Sequence, residues 1–190
     1  MPQRPLALVA DSYYHGYNRG EGRQPIFYHA DHWAFFVRRL KEHFLPTVAD
    51  IVAYCLMPNH YHLLVHLETD EFSKRVMQPF GTSYAKAVNA QLGRVGPLFQ
   101  GRFHAQRVHD DRYLIGLSAY IHLNPADAGL VERAEDWVYS SYRDYIGLRA
   151  GTLPHPEIVL DQFPSRQAYR EYVETYHLRD DDPINSLLLD

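Results

Sequence analysis

Cysteine is nearly absent from this 190-residue chain, which carries Cys55 alone. One cysteine excludes an intrachain disulfide framework and suits the reducing cytoplasm. Long apolar runs are missing too, because no stretch reaches the roughly 18 residues that a membrane span needs, and the N-terminal segment has no signal-peptide pattern. We therefore expect a cytoplasmic protein with no membrane partner.

Positive charge is also scarce, since 19 Lys and Arg stand against 23 Asp and Glu, a net charge of −4. Residues 1–150 hold 16 basic and 15 acidic residues, whereas residues 151–190 hold 3 and 8. A partner bound by charge alone is therefore not indicated, but a pocket for a few phosphates and several bases remains open. We expect one main domain, 1–150, and a C-terminal appendage with an acidic tail, 151–190, that is not an independent domain.

Hydrophobic periodicity indicates an α+β fold. The predicted elements are a strand at 5–17, a helix at 32–45, strands at 48–56 and 60–67, a helix at 71–92, a strand at 98–108 and helices at 111–123, 140–146 and 165–177. The first seven follow the order β-α-β-β-α-β-α, which is that of a ferredoxin-like split βαβ antiparallel sheet with an extra helix. We expect the two crossover helices on one face, then the extra helix and a helical appendage.

Local signals set the expected helix boundaries. Asp31 and Asp110 are placed to cap the first and third helices, and Pro79 within 71–92 predicts a kink or short interruption. Asn124-Pro125 is expected to stop the third helix, because proline removes a backbone donor.

His60 and His62 are the first candidates for chemistry. Alternate residues of a strand point to one face, so the two imidazoles of His60-Tyr61-His62 project together and can converge on one divalent ion. With 12 histidines in the chain, the same pattern also arises by chance. Spacing alone leaves both interpretations open.

Tyr120 and Asn124 lie four residues apart in the third helix, hence on one helical face. Tyr120 belongs to an amphipathic stripe and is therefore either an ordinary core aromatic or a nucleophile. A phenol with its usual pKa of about 10 is a poor nucleophile, so the second role needs an electropositive site such as a bound metal. Without the histidine pair, the core role is favoured.

Basic residues interleaved with aromatics suggest contacts to single-stranded nucleic acid, in which phosphates pair with arginine and bases stack on rings. The candidates are Arg19, Arg23, Arg102, His104 and Arg107. In a regular strand at 98–108, Arg102 and His104 would share one face and Arg107 would lie on the other. Each of them is also a common surface residue.

Three blocks in this order, MPNHYHLLVHLE, PLFQGRFHAQRV and DRYLIGLSAYIHLNPADAGLV, resemble the signature motifs of the REP-associated tyrosine transposases. These belong to the IS200-like, single-tyrosine HUH transposase family, and the resemblance runs from about residue 13 to residue 147. It implies metal-dependent cleavage and rejoining of single-stranded DNA at hairpins through a 5′-phosphotyrosine intermediate. The implied roles are His60, His62 and Asn124 as ligands of magnesium or manganese, and Tyr120 as nucleophile. The resemblance leaves open a monomer or a homodimer.

Two positions depart from the family pattern. Tyr61 replaces an aliphatic residue between the histidines, and on a strand it should face away from the metal. Asp127 stands where the family has a basic residue, which removes positive charge close to the site. Asp127 and the low positive charge motivate one alternative, a catalytically inactive, domesticated module that binds structured single-stranded nucleic acid. A remoter alternative is a hydrolase in which the same histidines activate water.

Overall fold

A four-stranded antiparallel sheet forms the centre of the computed structural model, which describes residues 7–177 and residue 184. The strands are β1 (Ser12–Arg19), β2 (Ala49–Met57), β3 (His60–Leu67) and β4 (His104–Val108), in the spatial order β2-β3-β1-β4. β1 pairs with both β3 and β4, and β2 pairs with β3 across a tight turn at Pro58-Asn59. This is the predicted ferredoxin-like arrangement.

Six α-helices surround the sheet within the described part of the chain. They are α1 (Ala30–His43), α2 (Gln78–Leu92), α3 (Asp111–Asp127), α4 (Tyr142–Tyr145), α5 (Glu157–Leu160) and α6 (Arg166–Glu174). Short 3-10 turns lie at Glu21–Arg23 and Ala134–Asp136, and a π-helical turn, Ser73–Met77, precedes α2. No helix in the described residues is both long and apolar enough to cross a membrane.

The two faces of the sheet bury separate hydrophobic clusters. Helices α1 and α2 cover one face with a ring-rich cluster in which Phe36 packs edge-on against Phe80 and Tyr84, each at 4.8 Å between ring centroids. Helix α3 and the segments after it cover the other face. The crossover helices therefore lie on one face, as expected, and the extra helix lies on the second.

β4 is shorter than the strand predicted at 98–108. Phe99 makes only an isolated bridge to Gly20, and Gly101 turns the chain with a φ of 79°, a conformation that a strand does not contain. Arg102 consequently lies in a bend outside β4, and the prediction that Arg102 and His104 share a strand face is wrong. The first strand is also displaced, because it begins at Ser12 rather than at residue 5 and extends to Arg19.

The starts of α1 and α2 differ from the prediction, whereas the start of α3 agrees with it. His29, not Asp31, occupies the N-cap of α1, and Asp31 lies in the first turn, where its charge suits the helix dipole. The π-helical turn before α2 replaces the kink predicted at Pro79, which sits in the first turn of α2. Asp110 caps α3 as predicted, its carboxylate accepting from the Tyr113 amide at 2.8 Å.

Helix α3 continues through Pro125, so the stop predicted at Asn124-Pro125 is wrong. The helix ends at Asp127, and Gly129 just beyond it has a φ of 68°, which lets the Leu130 amide donate to the Pro125 carbonyl at 2.9 Å. That six-residue closure is the usual glycine-dependent helix stop. As a result Asn124 stays in helical register with Tyr120.

The segment after residue 150 packs against α3. Tyr169 and Val173 of α6 are fully buried there, and Ile184 is buried in the same cluster. Gly116 of α3 allows this approach, because a Cβ atom at that position would lie 3.0 Å from the Tyr176 hydroxyl oxygen. The predicted acidic tail lies outside the described residues except for Ile184.

Candidate active site

Strand β3 presents His60 and His62 on the face that α3 covers. Both side chains are buried, and their ring centroids lie 4.9 Å apart. Tyr61 points to the opposite face, where it packs against Phe36 at 5.2 Å between centroids. The expected alternation of this strand is confirmed, and the bulky Tyr61 is part of the α1/α2 core rather than of the site.

Helix α3 brings Tyr120 and Asn124 to the same place. The Tyr120 ring lies edge-on to His62 at 5.5 Å between centroids, and Oδ1 of Asn124 lies 3.2 Å from Nε2 of His60. Tyr120 and Asn124 are both buried. The four residues that the sequence singles out therefore meet in one pocket between β3 and α3.

His60 has oxygen atoms at both ring nitrogens. Nδ1 lies 2.7 Å from Oδ1 of Asn59, and Nε2 faces Oδ1 of Asn124. A neutral imidazole has a single N–H, so it cannot donate to both oxygens. When Nδ1 donates to Asn59, two lone pairs face each other across 3.2 Å, which is near the spacing of adjacent ligands around an ion with bonds of about 2.1 Å.

His62 leaves its Nε2 atom available in the same pocket. Its Nδ1 atom lies 2.8 Å from Nε2 of His15, whereas Nε2 is buried and no hydrogen-bond partner reaches it among the described residues. A buried polar atom without a partner is costly, and a metal ion would satisfy it. The donor set of His60, His62 and Asn124 thus fits a divalent cation.

Burial keeps His15 and His62 neutral. It lowers the pKa of His15 to about 3, and burial followed by the neighbouring His15 and His60 lowers the pKa of His62 well below its usual value. Near pH 7 both rings therefore carry one proton each and retain one lone pair. Neutral imidazole is the form that binds metals.

His15 and Asn59 are members of the site that the sequence analysis missed. Asn59 directly precedes His60 in the β2–β3 turn, so its position next to a candidate ligand could have indicated it. His15 gave no local signal, because its contact with His62 depends on the register that pairs Gly16 with Leu63 and Tyr17 with His62. Register between distant strands is not written in the periodicity of either strand.

The predicted nucleic-acid contacts fall into two groups. Arg19, Arg23 and Arg102 gather at the sheet end that carries His60, where Arg19 donates to Oε1 of Gln100 and the Arg23 carbonyl accepts from Asn59. Hydrogen bonds within this end include Asn18 to the Gly101 carbonyl, which ties the Arg102 bend to β1.

His104 and Arg107 lie further along β4. His104 is exposed and stacks on Tyr17, which in turn stacks on His15, at 5.1 and 4.9 Å between centroids. Arg107 points to the other face and donates to Oγ of Ser12 at 2.9 Å. His104 is therefore connected to the pocket by stacked rings, whereas Arg107 is not.

A second group of metal-binding residue types lies elsewhere. Asp50, His66 and Glu68 have ligand atoms within 4.8 Å of one another; Asp50 and His66 are partly buried and Glu68 is exposed. His66 is six residues from His60 on β3, so this group lies near the opposite end of the strand. It is separate from the pocket that contains Tyr120.

The comparisons with known proteins agree with this architecture. Residues 8–124 match the family model described as "Transposase IS200 like". The chain therefore belongs to the IS200-like transposases, a family of DNA-processing enzymes.

Two relatives are similar to it in more detail. A putative REP-associated tyrosine transposase of Haemophilus influenzae is 32% identical over 104 residues, which span 49% of this chain and 58% of that protein. A solved structure described as a REP-associated tyrosine transposase bound to a REP hairpin superposes with a TM-score of 0.62 at 19% identity, covering 77% of this chain and 86% of that one. At this identity the structural match shows a shared fold.

Proposed function

We propose that the chain cleaves and rejoins single-stranded DNA at hairpin-forming, REP-like sequences, as in DNA transposition. The observation that carries the proposal is the meeting of Tyr120 with His60, His62 and Asn124 in one buried pocket. Membership of a transposase family supports it, as does the structural relative, which is described as bound to a REP hairpin. The proposed partner is a single strand with hairpin structure, bound by a monomer or a homodimer.

The proposed cofactor is magnesium or manganese, with His60, His62 and Asn124 as its ligands. Bound there, the ion would polarise the scissile phosphate and stabilise the charge that develops during attack. The mixed set of two imidazoles and one amide oxygen leaves positions for phosphate oxygens. None of the three ligands is anionic, so they would not offset the charge that attracts the phosphate.

Tyr120 would act as the nucleophile. Its phenolic oxygen bonds to phosphorus while the bond from phosphorus to the 3′ oxygen breaks; the phenol loses a proton and the 3′ oxygen gains one. The products are a 5′-phosphotyrosine link and a free 3′-hydroxyl. Attack by a 3′-hydroxyl reverses the step, rejoins the strand and restores Tyr120, so no external energy source is needed.

The DNA strand would approach along the sheet end that carries His60. We propose that Arg19, Arg23 and Arg102 contact its phosphates and that His104 extends a ring surface on which bases stack. Arg107 would reach only DNA that passes around β4 to the opposite face.

The test is formation of a covalent adduct on a denaturing gel. The full chain is mixed with a labelled, hairpin-bearing single strand in Mn²⁺, in Mg²⁺ or in excess EDTA. We expect an adduct with either metal and none in EDTA, and we expect Tyr120→Phe to abolish it. Tyr113→Phe is the matched control, because Tyr113 lies two turns earlier on α3, and it should retain the adduct.

The outcomes separate the alternatives. An equal adduct from Tyr120→Phe would show that another residue is the nucleophile. Free DNA ends without an adduct, produced equally by Tyr120→Phe, would indicate a hydrolase in which the histidines activate water. Tight hairpin binding without cleavage in any metal would indicate an inactive binding module.

A further inference from the structure

His15 lies directly behind His62 and is the side chain with which that ligand makes its closest polar contact. The two ring planes are nearly parallel, at 14° to each other, and Nε2 of His15 lies 2.8 Å from Nδ1 of His62. The ring centroids are 5.0 Å apart, close to the nitrogen–nitrogen distance plus the two ring radii, so the contact lies near the ring planes. Both side chains are completely buried. The contact is therefore a single in-plane hydrogen bond between two imidazoles, shielded from water.

Only one direction of that hydrogen bond allows His62 to bind a metal ion through Nε2. If His15 donates, the one proton of a neutral His62 must sit on Nε2, and no lone pair remains there. If His62 donates from Nδ1, its buried Nε2 atom keeps a lone pair that is available to a metal ion.

We infer that His15 is a positioning residue that accepts the hydrogen bond from Nδ1 of His62 and so holds His62 in the tautomer that binds metal through Nε2. This inference rests on the proposed function. It gives His15 the role that a carboxylate or carbonyl oxygen fills behind most metal-binding histidines.

The surroundings of His15 hold its ring in place. Tyr17 stacks on it at 4.9 Å between centroids, and His104 stacks on the far side of Tyr17. In the inferred tautomer Nδ1 of His15 carries its proton, and no hydrogen-bond partner reaches that atom within the described part of the chain. An unsatisfied buried donor costs stability, and groups of this kind are expected mainly at functional sites.

A neutral acceptor has a consequence for charge. Asn59, behind His60, is neutral as well. The ligands and their supporting side chains, His15, Asn59, His60, His62 and Asn124, therefore contribute no negative charge. A divalent ion in this pocket would keep its full positive charge for the phosphate and the phenolic oxygen.

The first experiment measures metal affinity rather than activity. Mn²⁺ binding is followed by isothermal titration calorimetry on full-length proteins that all carry His66→Gln, which weakens the separate group with Asp50 and Glu68. His15→Phe keeps a ring but has no acceptor, and we expect its dissociation constant to rise about 10- to 100-fold. His15→Gln offers an amide oxygen and should recover most of that loss. His43→Gln, on α1, is the control that should bind as the parent does.

The result that overturns the inference is equal Mn²⁺ affinity of the parent, His15→Phe and His15→Gln proteins. If the parent itself binds no Mn²⁺ at the pocket, so that His60→Ala changes nothing, the proposed function fails instead. Thermal unfolding by circular dichroism identifies any variant that is not folded.

A second measurement needs no substitution at His15. Long-range ¹H–¹⁵N spectra of histidine-labelled protein, recorded with Zn²⁺ as a diamagnetic probe, report which ring nitrogens carry protons. We expect a protonated Nδ1 on His62 and an unprotonated Nε2 on His15. An unprotonated Nδ1 on metal-loaded His62 would contradict the inference, even if His15→Phe does not fold.

Discussion

The sheet face under α1 and α2 is filled mainly with rings and aliphatic chains, with Ser12, Asn18 and His32 as its buried polar side chains. The face under α3 buries a larger group of imidazoles, hydroxyls and an amide. On the first face Phe36 contacts Tyr61, Phe80 and Tyr84 through their ring edges. The buried polar side chains on the second face include His15, His60, His62, Ser118, His122, Asn124 and Ser141. Strands β1 and β3 supply both faces by simple alternation.

The difference shows how stability and chemistry are divided. Buried polar groups cost free energy unless they are paired, and Nε2 of His62 and Nδ1 of His15 have no hydrogen-bond partner among the described residues. A large apolar cluster on the other side of the same strands offsets that cost. We therefore expect substitutions on the first face to change stability, and substitutions in the pocket to change activity.

The largest expected effect is the loss of a ring from the apolar face. Phe36→Ala removes a fully buried side chain and leaves a cavity, so the free energy of unfolding should fall by about 3–5 kcal/mol. Adduct formation per folded molecule should stay unchanged. Urea unfolding followed by fluorescence, together with the adduct assay on the folded fraction, measures both. A specific activity that falls together with stability would show that the faces are not separable.

The second prediction is a substitution in the pocket, which should change activity much more than stability. Asn124→Ala removes the oxygen atom proposed as a metal ligand and improves helix propensity, so the free energy of unfolding should change by less than about 1 kcal/mol. Cleavage should fall about 100-fold, which corresponds to about 2.7 kcal/mol in the barrier. Rates are measured at saturating DNA over a range of Mn²⁺. Wild-type rates at every Mn²⁺ concentration would exclude Asn124 as a ligand.

The sequence predicts those features of the two sheet faces that depend on local residue patterns. Alternation at His60, Tyr61 and His62 correctly assigns these residues to opposite faces, because a strand has a period of two. Helical spacing places Tyr120 and Asn124 together for the same kind of reason. The seven elements and their order follow from such patterns, and the topology follows from their order.

What the sequence could not predict depends on long-range packing. His15 became visible only through the β1–β3 register. The stop expected at Pro125 failed because glycine at 129 closes the helix one turn later. The chain from 98 to 103 has strand-like composition, yet Gly101 bends it away, so Arg102 was misplaced.

A third, smaller prediction concerns the appendage, residues 151–190. Its Tyr169 contacts one part of the polar face, around His122, and not the part around His60. The Tyr169 hydroxyl lies 2.7 Å from Nδ1 of His122 and 3.0 Å from Oγ of Ser118, both on α3. Nε2 of His122 in turn lies 2.8 Å from Oγ of Ser141. We propose that this network joins residues 151–190 to the main domain, so that they are not an independent domain.

Tyr169→Phe tests that proposal. Removing the hydroxyl leaves two buried polar groups short of a partner, so the free energy of unfolding should fall by about 1–2 kcal/mol in a single cooperative transition. Tyr172→Phe, on the same helix but only half-buried, should have a smaller effect. Two separate transitions, with α6 melting first, would instead indicate an independent unit. If adduct formation is unchanged, the buried polar groups around His122 serve stability and those around His60 serve chemistry.

The smallest expected effect concerns the solvent-exposed edge of the polar face, at Asp127. This residue is exposed in the last turn of α3, one turn beyond Asn124, where an acidic side chain opposes both the helix dipole and an approaching phosphate. Asp127→Arg should tighten hairpin binding about two- to fivefold at low salt, or about 0.4–1 kcal/mol. One new phosphate contact should also steepen the salt dependence of log affinity by about 0.7.

Asp136→Arg provides an equal charge change outside α3, and fluorescence anisotropy over a salt series measures both variants. An equal gain from the two would mean that net charge alone is responsible; a gain confined to Asp127→Arg would show that the DNA passes the end of α3.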